Sequence, residues 1–170
     1  MVARVYGWRP DKPDFRDKVC GLRLKKGAMK NVDLRLTGYL PPVYDQGQLG
    51  SCTGNAIAGA IEYCLRAQKK HDYVPSRLFI YYNERVIENT VNNDAGAEIR
   101  DGIHSVATTG VCDEALWPYD TSKFTEKPSD QAFTEARKEI IKQYTRVPQK
   151  LANIQNVLSH GIPRSEEAHV

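Results

Sequence analysis

The sequence predicts a helix-dominated chain, and three observations lead there. Apolar residues recur at helical spacing in successive segments, alternating strand patterns are almost absent, and the first 40 residues carry no periodicity. At 170 residues the chain has the length of one domain, or of one domain and a fragment. Its 41% hydrophobic and 26% charged residues are ordinary for a globular protein. A net charge of +3, with lysines scattered in short groups such as Lys25-Lys26 and Lys69-Lys70, argues against nucleic acid as a partner. No apolar stretch approaches the ~18 residues of a membrane span, which argues against a membrane partner.

Residues 1–40 read as an irregular extension. Arg9-Pro-Asp-Lys-Pro-Asp, like Leu40-Pro-Pro just beyond it, is an extended or turn signal, because proline lacks a donor and restricts the residue before it. The first helix begins near Ser51, with Ala56, Ile57, Ala60, Ile61, Cys64 and Leu65 forming an apolar stripe that fades at Gln68-Lys69-Lys70. Pro75-Ser76 opens a second helix with Leu78, Phe79, Tyr82 and Val86 inward. Asn92-Asn93-Asp94-Ala95-Gly96 is a loop. Ile99, Ile103, Val106 and Ala107 mark a third helix, closed by Gly110 where a left-handed cap is required. After the loop Glu114-Ala-Leu-Trp-Pro-Tyr-Asp, a fourth helix is expected over Ser129–Tyr144, capped by Ser129 or Asp130. A fifth covers Leu151–His160 and stops at Gly161 and Pro163. The remainder, Arg164-Ser-Glu-Glu-Ala-His-Val, is polar and patternless.

The chemistry lies in Val43-Tyr-Asp-Gln-Gly-Gln-Leu-Gly-Ser-Cys-Thr-Gly-Asn-Ala. It sets Cys52 at the mouth of a helix, directly after a glycine-rich loop. A helix N-terminus has unpaired N–H groups and a partial positive charge, which favours thiolate, and thiolate is the nucleophile. Gln46, six residues earlier, lies on the loop that folds back over the helix start. Its amide and the Cys52 N–H are candidates to hold a developing oxyanion. Gly47 and Gly50 allow a tight turn and the approach of a substrate backbone.

Gln46-Gly, four residues, Cys52 and a small-residue helix resemble the active-site segment of the papain-like cysteine peptidases. The likeness continues in order through Asp94-Ala-Gly-Ala-Glu-Ile-Arg-Asp-Gly-Ile and Gly110-Val-Cys-Asp-Glu-Ala-Leu-Trp-Pro-Tyr, covering roughly residues 40–163. It implies an α+β, papain-like fold, of which this chain holds mainly the helical lobe with the β-rich lobe largely missing. By domain, 1–40 is the extension, 41–163 the helical lobe and the start of the crossover, and 164–170 an aberrant or disordered tail. The resemblance further implies a peptidase acting by acyl transfer, with Cys52 as nucleophile and Gln46 in the oxyanion hole. Gly50, Ser51, Gly96 and Ala97 would bind substrate backbone. The implied partners are a peptide or protein substrate and a second lobe, or a partner, covering the cleft face; no cofactor or metal is expected.

Three departures stand out. Leu49 and Thr53 replace the usual cysteine and tryptophan around the nucleophile. The lost cysteine removes the disulfide of secreted members, and Met1-Val-Ala-Arg-Val-Tyr-Gly-Trp lacks the apolar core of a secretory signal, so reduced thiols in a cytosolic setting are expected. With these features and the extension around Val5-Tyr-Gly-Trp-Arg-Pro-Asp, the chain looks more like divergent bacterial members than like one carrying an inhibitory propeptide. The third departure concerns the base. The family's histidine and asparagine follow ~130–150 residues after the cysteine, beyond Val170. His71 and His104 read as surface residues and His160 as a helix-end cation. His169 lies only 117 residues after Cys52, with no strand pattern to carry it. The tail therefore reads as the trace of a truncation, mis-splice or frameshift, and the chain as inactive alone. A non-catalytic peptide-binding pseudopeptidase and a thiol acyltransferase are the alternative readings. Cys64 and Cys112 read as core or loop thiols, and Cys20 is unassigned.

Overall fold

The computed structural model describes residues 6–15, 17–22 and 31–161, with the backbone of 168 and 169. Helix α1 spans Cys52–Ala67, with Ser51 and Gln68 at its caps, as its spacing predicts. It is buried on more than one stripe: Ile57, Ala58, Ile61, Tyr63 and Leu65 are all enclosed. Ala60 and Cys64 lie at the rim of the buried surface, each 8% exposed, and Ala56, at the open end of their row, is exposed rather than inward. Glu62 is also buried, which is tolerated because the Tyr44 hydroxyl and the Arg66 guanidinium both bond its carboxylate.

Helix α2 spans Arg77–Ile87, and the Ser76 hydroxyl caps it by accepting the Phe79 N–H at 3.2 Å. Leu78, Phe79, Ile80 and Tyr81 enter the core, but Tyr82 is only half-buried and Val86 is exposed. The expected inward row is displaced by a buried arginine. Arg85 turns inward and donates to the carbonyls of Tyr81, Val91 and Asn93 at 3.1, 2.7 and 3.3 Å, and to that of Phe124. Helices α1 and α2 approach so closely at Gly54 that a β-carbon there would lie 2.7 Å from the Arg77 carbonyl.

Helix α3, Ile99–Thr108, adds Ile103 and Val106 to the core formed by α1, Phe79 and Ile80. Gly110 follows with φ +84°, the left-handed conformation its position calls for. Helix α4 spans only Asp130–Ala136, capped by Ser129, instead of reaching Tyr144. Its end is set by tertiary contacts. The last turn tightens through Lys138 N–H to Glu135 O and Glu139 N–H to Ala136 O, and the Glu139 carbonyl then accepts the Val111 N–H at 3.2 Å. That bend carries Ile141 into the core. Helix α5, Leu151–Ser159, ends at His160 and Gly161 (φ +75°) as expected.

Strand pairing is sparse. Strand β1, Trp8–Arg9, runs parallel to β2, Ala97–Glu98. Strand β3, Gln143–Tyr144, pairs antiparallel with β4, Ala168–His169. Two residues of the expected patternless tail are therefore paired backbone; residues 162–167 and 170 lie outside the described residues. No disulfide joins any of the four cysteines. Among the described residues no helix is long and apolar enough to cross a membrane.

Gly110 tests this packing. A β-carbon there would lie 1.8 Å from the Ala136 carbonyl oxygen, in a backbone conformation that already disfavours side chains. Gly110→Ala should destabilise the fold by about 2–4 kcal/mol in urea unfolding.

Candidate active site

The loop before α1 is shaped by its own side chains. Asp45 Oδ1 accepts the Gly47 N–H at 2.9 Å, a local turn that doubles the chain back. The Gln46 amide donates to the Leu49 carbonyl at 2.9 Å, bridging the loop. Tyr119 pins the same loop from outside: its hydroxyl donates to the Gln46 carbonyl at 3.1 Å and pairs with the Ser51 hydroxyl. The Arg77 guanidinium packs on the rings of Tyr119 and Tyr44, 4.0 and 4.6 Å from their centroids, and forks onto Glu114 at 2.7 and 2.9 Å.

A second tie reaches across to the loop before β2. The Asp94 carboxylate accepts the Gly50 N–H at 3.0 Å and the Tyr81 hydroxyl at 2.5 Å, while the Gly96 N–H donates to that hydroxyl at 3.3 Å. Gly50, Ser51, Gly96 and Ala97 are thereby brought together beside Cys52, the first residue of α1.

Cys52 is half-buried, and its thiol is pushed above its ordinary pKa. Burial is the main cause, opposed by the backbone N–H groups of Gly7 and Thr53 and reinforced by Glu84. The expectation that the helix mouth alone favours thiolate is thus not met; desolvation outweighs the N–H groups. Among the described residues, none of the groups acting on the sulfur is a histidine. His71 and His104 are exposed, and His160 bonds the Asn156 carbonyl at 2.8 Å. Burial raises Cys64 and Cys112 further, to about 11 and about 12, as befits inert core thiols.

The Gly96-Ala97 edge does hold an extended backbone, but it is the chain's own. Ala97 N–H donates to the Gly7 carbonyl at 2.8 Å, and Trp8 and Arg9 continue in register with Ala97 and Glu98. The fit is close: a β-carbon on Gly7 would lie 1.8 Å from the Gly50 oxygen, and one on Gly96 1.8 Å from the Gly7 oxygen. The extension, expected not to act as an inhibitory segment, therefore lies across the edge assigned to substrate. Contacts distant in sequence fasten it: Arg9 with Glu88, Lys12 N–H to Glu98 at 3.2 Å, Arg100 N–H to Asp11 at 3.2 Å, and Arg100 with Asp17 at 2.5 Å.

Glu88, Glu98 and Asp101 bring carboxylate oxygens within 4.8 Å of one another, the one such group among the described residues. Arg9 already supplies a cation there, so the cluster reads as the seat of Arg9. A cavity of about 1000 Å³ lies beside it, lined by Arg9, Asp17, Arg100, His104 and Lys142, and Cys52 does not border it. Tyr119, Arg77, Asp94 and Gly7 escaped the sequence reading. Tyr119 and Asp94 do lie within the two stretches that carry the family resemblance, which is the signal that points to them.

A cysteine at a helix mouth, beside an edge that binds extended backbone, is the layout of a cysteine peptidase. No family model matches the sequence. An uncharacterised peptidase C1-like protein of Acanthamoeba polyphaga mimivirus is 36% identical over 95% of this chain and 60% of its own length. Cysteine proteinase 2 of Entamoeba histolytica is 28% identical over 79% of this chain and 42% of its own. Among solved structures, xylellain, a cysteine protease from Xylella fastidiosa, superposes with a TM-score of 0.79 at 41% identity, covering 92% of this chain and 63% of that one. Digestive procathepsin L 3 of Tenebrio molitor shares the fold at a TM-score of 0.59 and 19% identity, over 84% of this chain and 47% of its own. Over most of its length the chain is similar to papain-like cysteine peptidases, and its described residues form mainly the helical lobe of that fold. It spans about 60% of the length of the mimivirus relative.

Gly7→Leu should unseat the extension from Gly50 and open the sulfur. Alkylation of Cys52 by iodoacetamide, followed by peptide mass mapping, should accelerate by at least about tenfold, the equivalent of ~1.4 kcal/mol of lost seating.

Proposed function

We propose that the chain carries the nucleophile lobe of a papain-like peptidase that hydrolyses peptide bonds by acyl transfer. The Cys52 thiolate attacks the substrate carbonyl carbon, and the Cys52 N–H and the Gln46 amide receive the negative oxygen. Gln46 has two amide hydrogens, one engaged by Leu49, which leaves the second for this task. The amine leaves with a proton taken from solvent water, the step a general acid on a second lobe would speed, and a second water hydrolyses the thioester to the acid and returns the Cys52 thiol. Gly96 and Ala97 hold the substrate backbone as they now hold Gly7. The observation that carries this reading is the Ala97 N–H to Gly7 carbonyl bond, which runs an extended peptide past the nucleophile.

The finer reading is that the 170-residue chain turns over little by itself. Its thiol is raised and, among the described residues, no histidine acts on it, so neither thiolate formation nor protonation of the leaving amine has a group there to assist it. General acid–base catalysis alone is worth ~10²–10⁴-fold. The same observation favours a second reading, a pseudopeptidase that holds peptides or a partner. Phe15, Leu36, Val43 and Leu151 are exposed by 99, 87, 100 and 71%, apolar surface that a second lobe or a partner would cover.

Two measurements separate these readings. A peptidyl vinyl sulfone should label Cys52 faster than its non-peptide analogue does; equal rates would remove the substrate-edge assignment. A fluorogenic peptide should show no turnover above that of Cys52→Ala, and clear Cys52-dependent turnover would overturn the inactivity of the chain alone.

A further inference from the structure

Glu84 sits on the inner side of α2, fully enclosed, directly beneath the start of α1. Its Oε2 accepts the hydroxyl of Thr53 at 2.6 Å, and Thr53 is the residue after the nucleophile. Its Oε1 has no hydrogen-bond partner among the described residues. That oxygen presses on α3 so closely that a β-carbon at Gly102 would lie 2.2 Å from it. A carboxylate so enclosed, with one hydrogen bond and no cation of its own, takes the neutral form.

The charged neighbours do not reverse this. Arg85, next on α2, draws the carboxyl's pKa down, but its guanidinium is directed at the carbonyls of Tyr81, Val91 and Asn93 and at the Tyr81 ring. Asp101 on α3 adds negative charge and raises it. From α1 come Thr53 and Cys52, and the thiol in turn registers Glu84 as a repulsive charge. Burial dominates, and the carboxyl is pushed up to about 8.

We propose that Glu84 is a positioning residue for the nucleophile. As a neutral carboxyl it bonds Thr53 and fixes the first turn of α1; once ionised it places a negative charge near Cys52 that holds the sulfur as thiol. This rests on Cys52 being the nucleophile of the proposed acyl transfer. The two groups then titrate as a coupled pair, with the ionisation of one delaying that of the other.

The test follows Cys52 alkylation by iodoacetamide from about pH 6 to 11, mapped by mass, in the unaltered chain and in E84Q, with carboxyl ¹³C spectra of glutamate-labelled protein. One glutamate resonance should titrate near the value of about 8 and be missing from E84Q. The Cys52 profile of the unaltered chain should be broader than a single ionisation. In E84Q it should be single and shifted down, raising the rate at pH 9 about threefold or more. T53V removes only the hydroxyl, so the glutamate midpoint should move up, a shift that a merely structural role would not produce; with the unaltered spectra it decides the matter if E84Q fails to fold. Titration of every glutamate in the ordinary range, or superimposable Cys52 profiles for a reactive thiol, would overturn the role of Glu84 alone. A Cys52 that stays inert at every pH in both proteins would overturn the nucleophile assignment and this role with it.

Discussion

The carboxylate of Asp94 joins the two halves of the site. It takes the Gly50 N–H on one side and the Tyr81 hydroxyl on the other, and Tyr81 receives the Gly96 N–H. The distance between the sulfur and the backbone-binding edge is therefore set by one exposed acid acting on two loops. Hydrogen bonds to a carboxylate contribute ~1.5–3 kcal/mol each, and they add to the packing of Leu49 and Ala97 on Leu78 and Tyr81 beneath the same two loops. The remaining supports, Tyr119 on the Gln46 carbonyl and Arg77 between two rings, hold one of those loops against the helices.

On this frame the chain lays its own residues Gly7–Arg9. The seating combines a backbone pairing with ion pairs and hydrogen bonds from Arg9, Lys12 and Arg100. Partly exposed pairs of this kind contribute ~0–1 kcal/mol apiece, so no one of them anchors the segment. Its hold is a sum of small terms, and a competing peptide needs to match only the backbone bonds at Ala97 and the fit against Gly50. Occupation of the edge by Gly7 and the proposed use of that edge by substrate are compatible for that reason.

The helices were largely legible in the sequence because apolar spacing and capping residues determine them: Ser51, Ser76, Ser129 and Gly110 all stand where expected. What failed was decided by contacts that periodicity does not register. Val86 faces outward because Arg85 is buried by carbonyls instead of apolar neighbours. Helix α4 stops at Ala136 because the Glu139 carbonyl is needed by Val111. At the site, the loop glycines and the place of Cys52 at a helix start were readable locally, whereas the groups that tie the loop down lie far off in sequence, Asp94 44 residues from Gly50 and Tyr119 73 residues from Gln46, and the covering segment has no pattern of its own. The helix-mouth argument for a ready thiolate failed in magnitude, since half-burial of the sulfur exceeds what the N–H groups return.

Residue-resolved amide hydrogen exchange tests the account most directly. If Asp94 holds the Gly50 N–H and Gly7 occupies the edge at Ala97, both amides should exchange far more slowly than exposed loop amides such as that of Asn92. Rapid exchange at both positions in the unaltered chain would contradict it, leaving neither a fixed nucleophile loop nor an edge that binds peptide backbone.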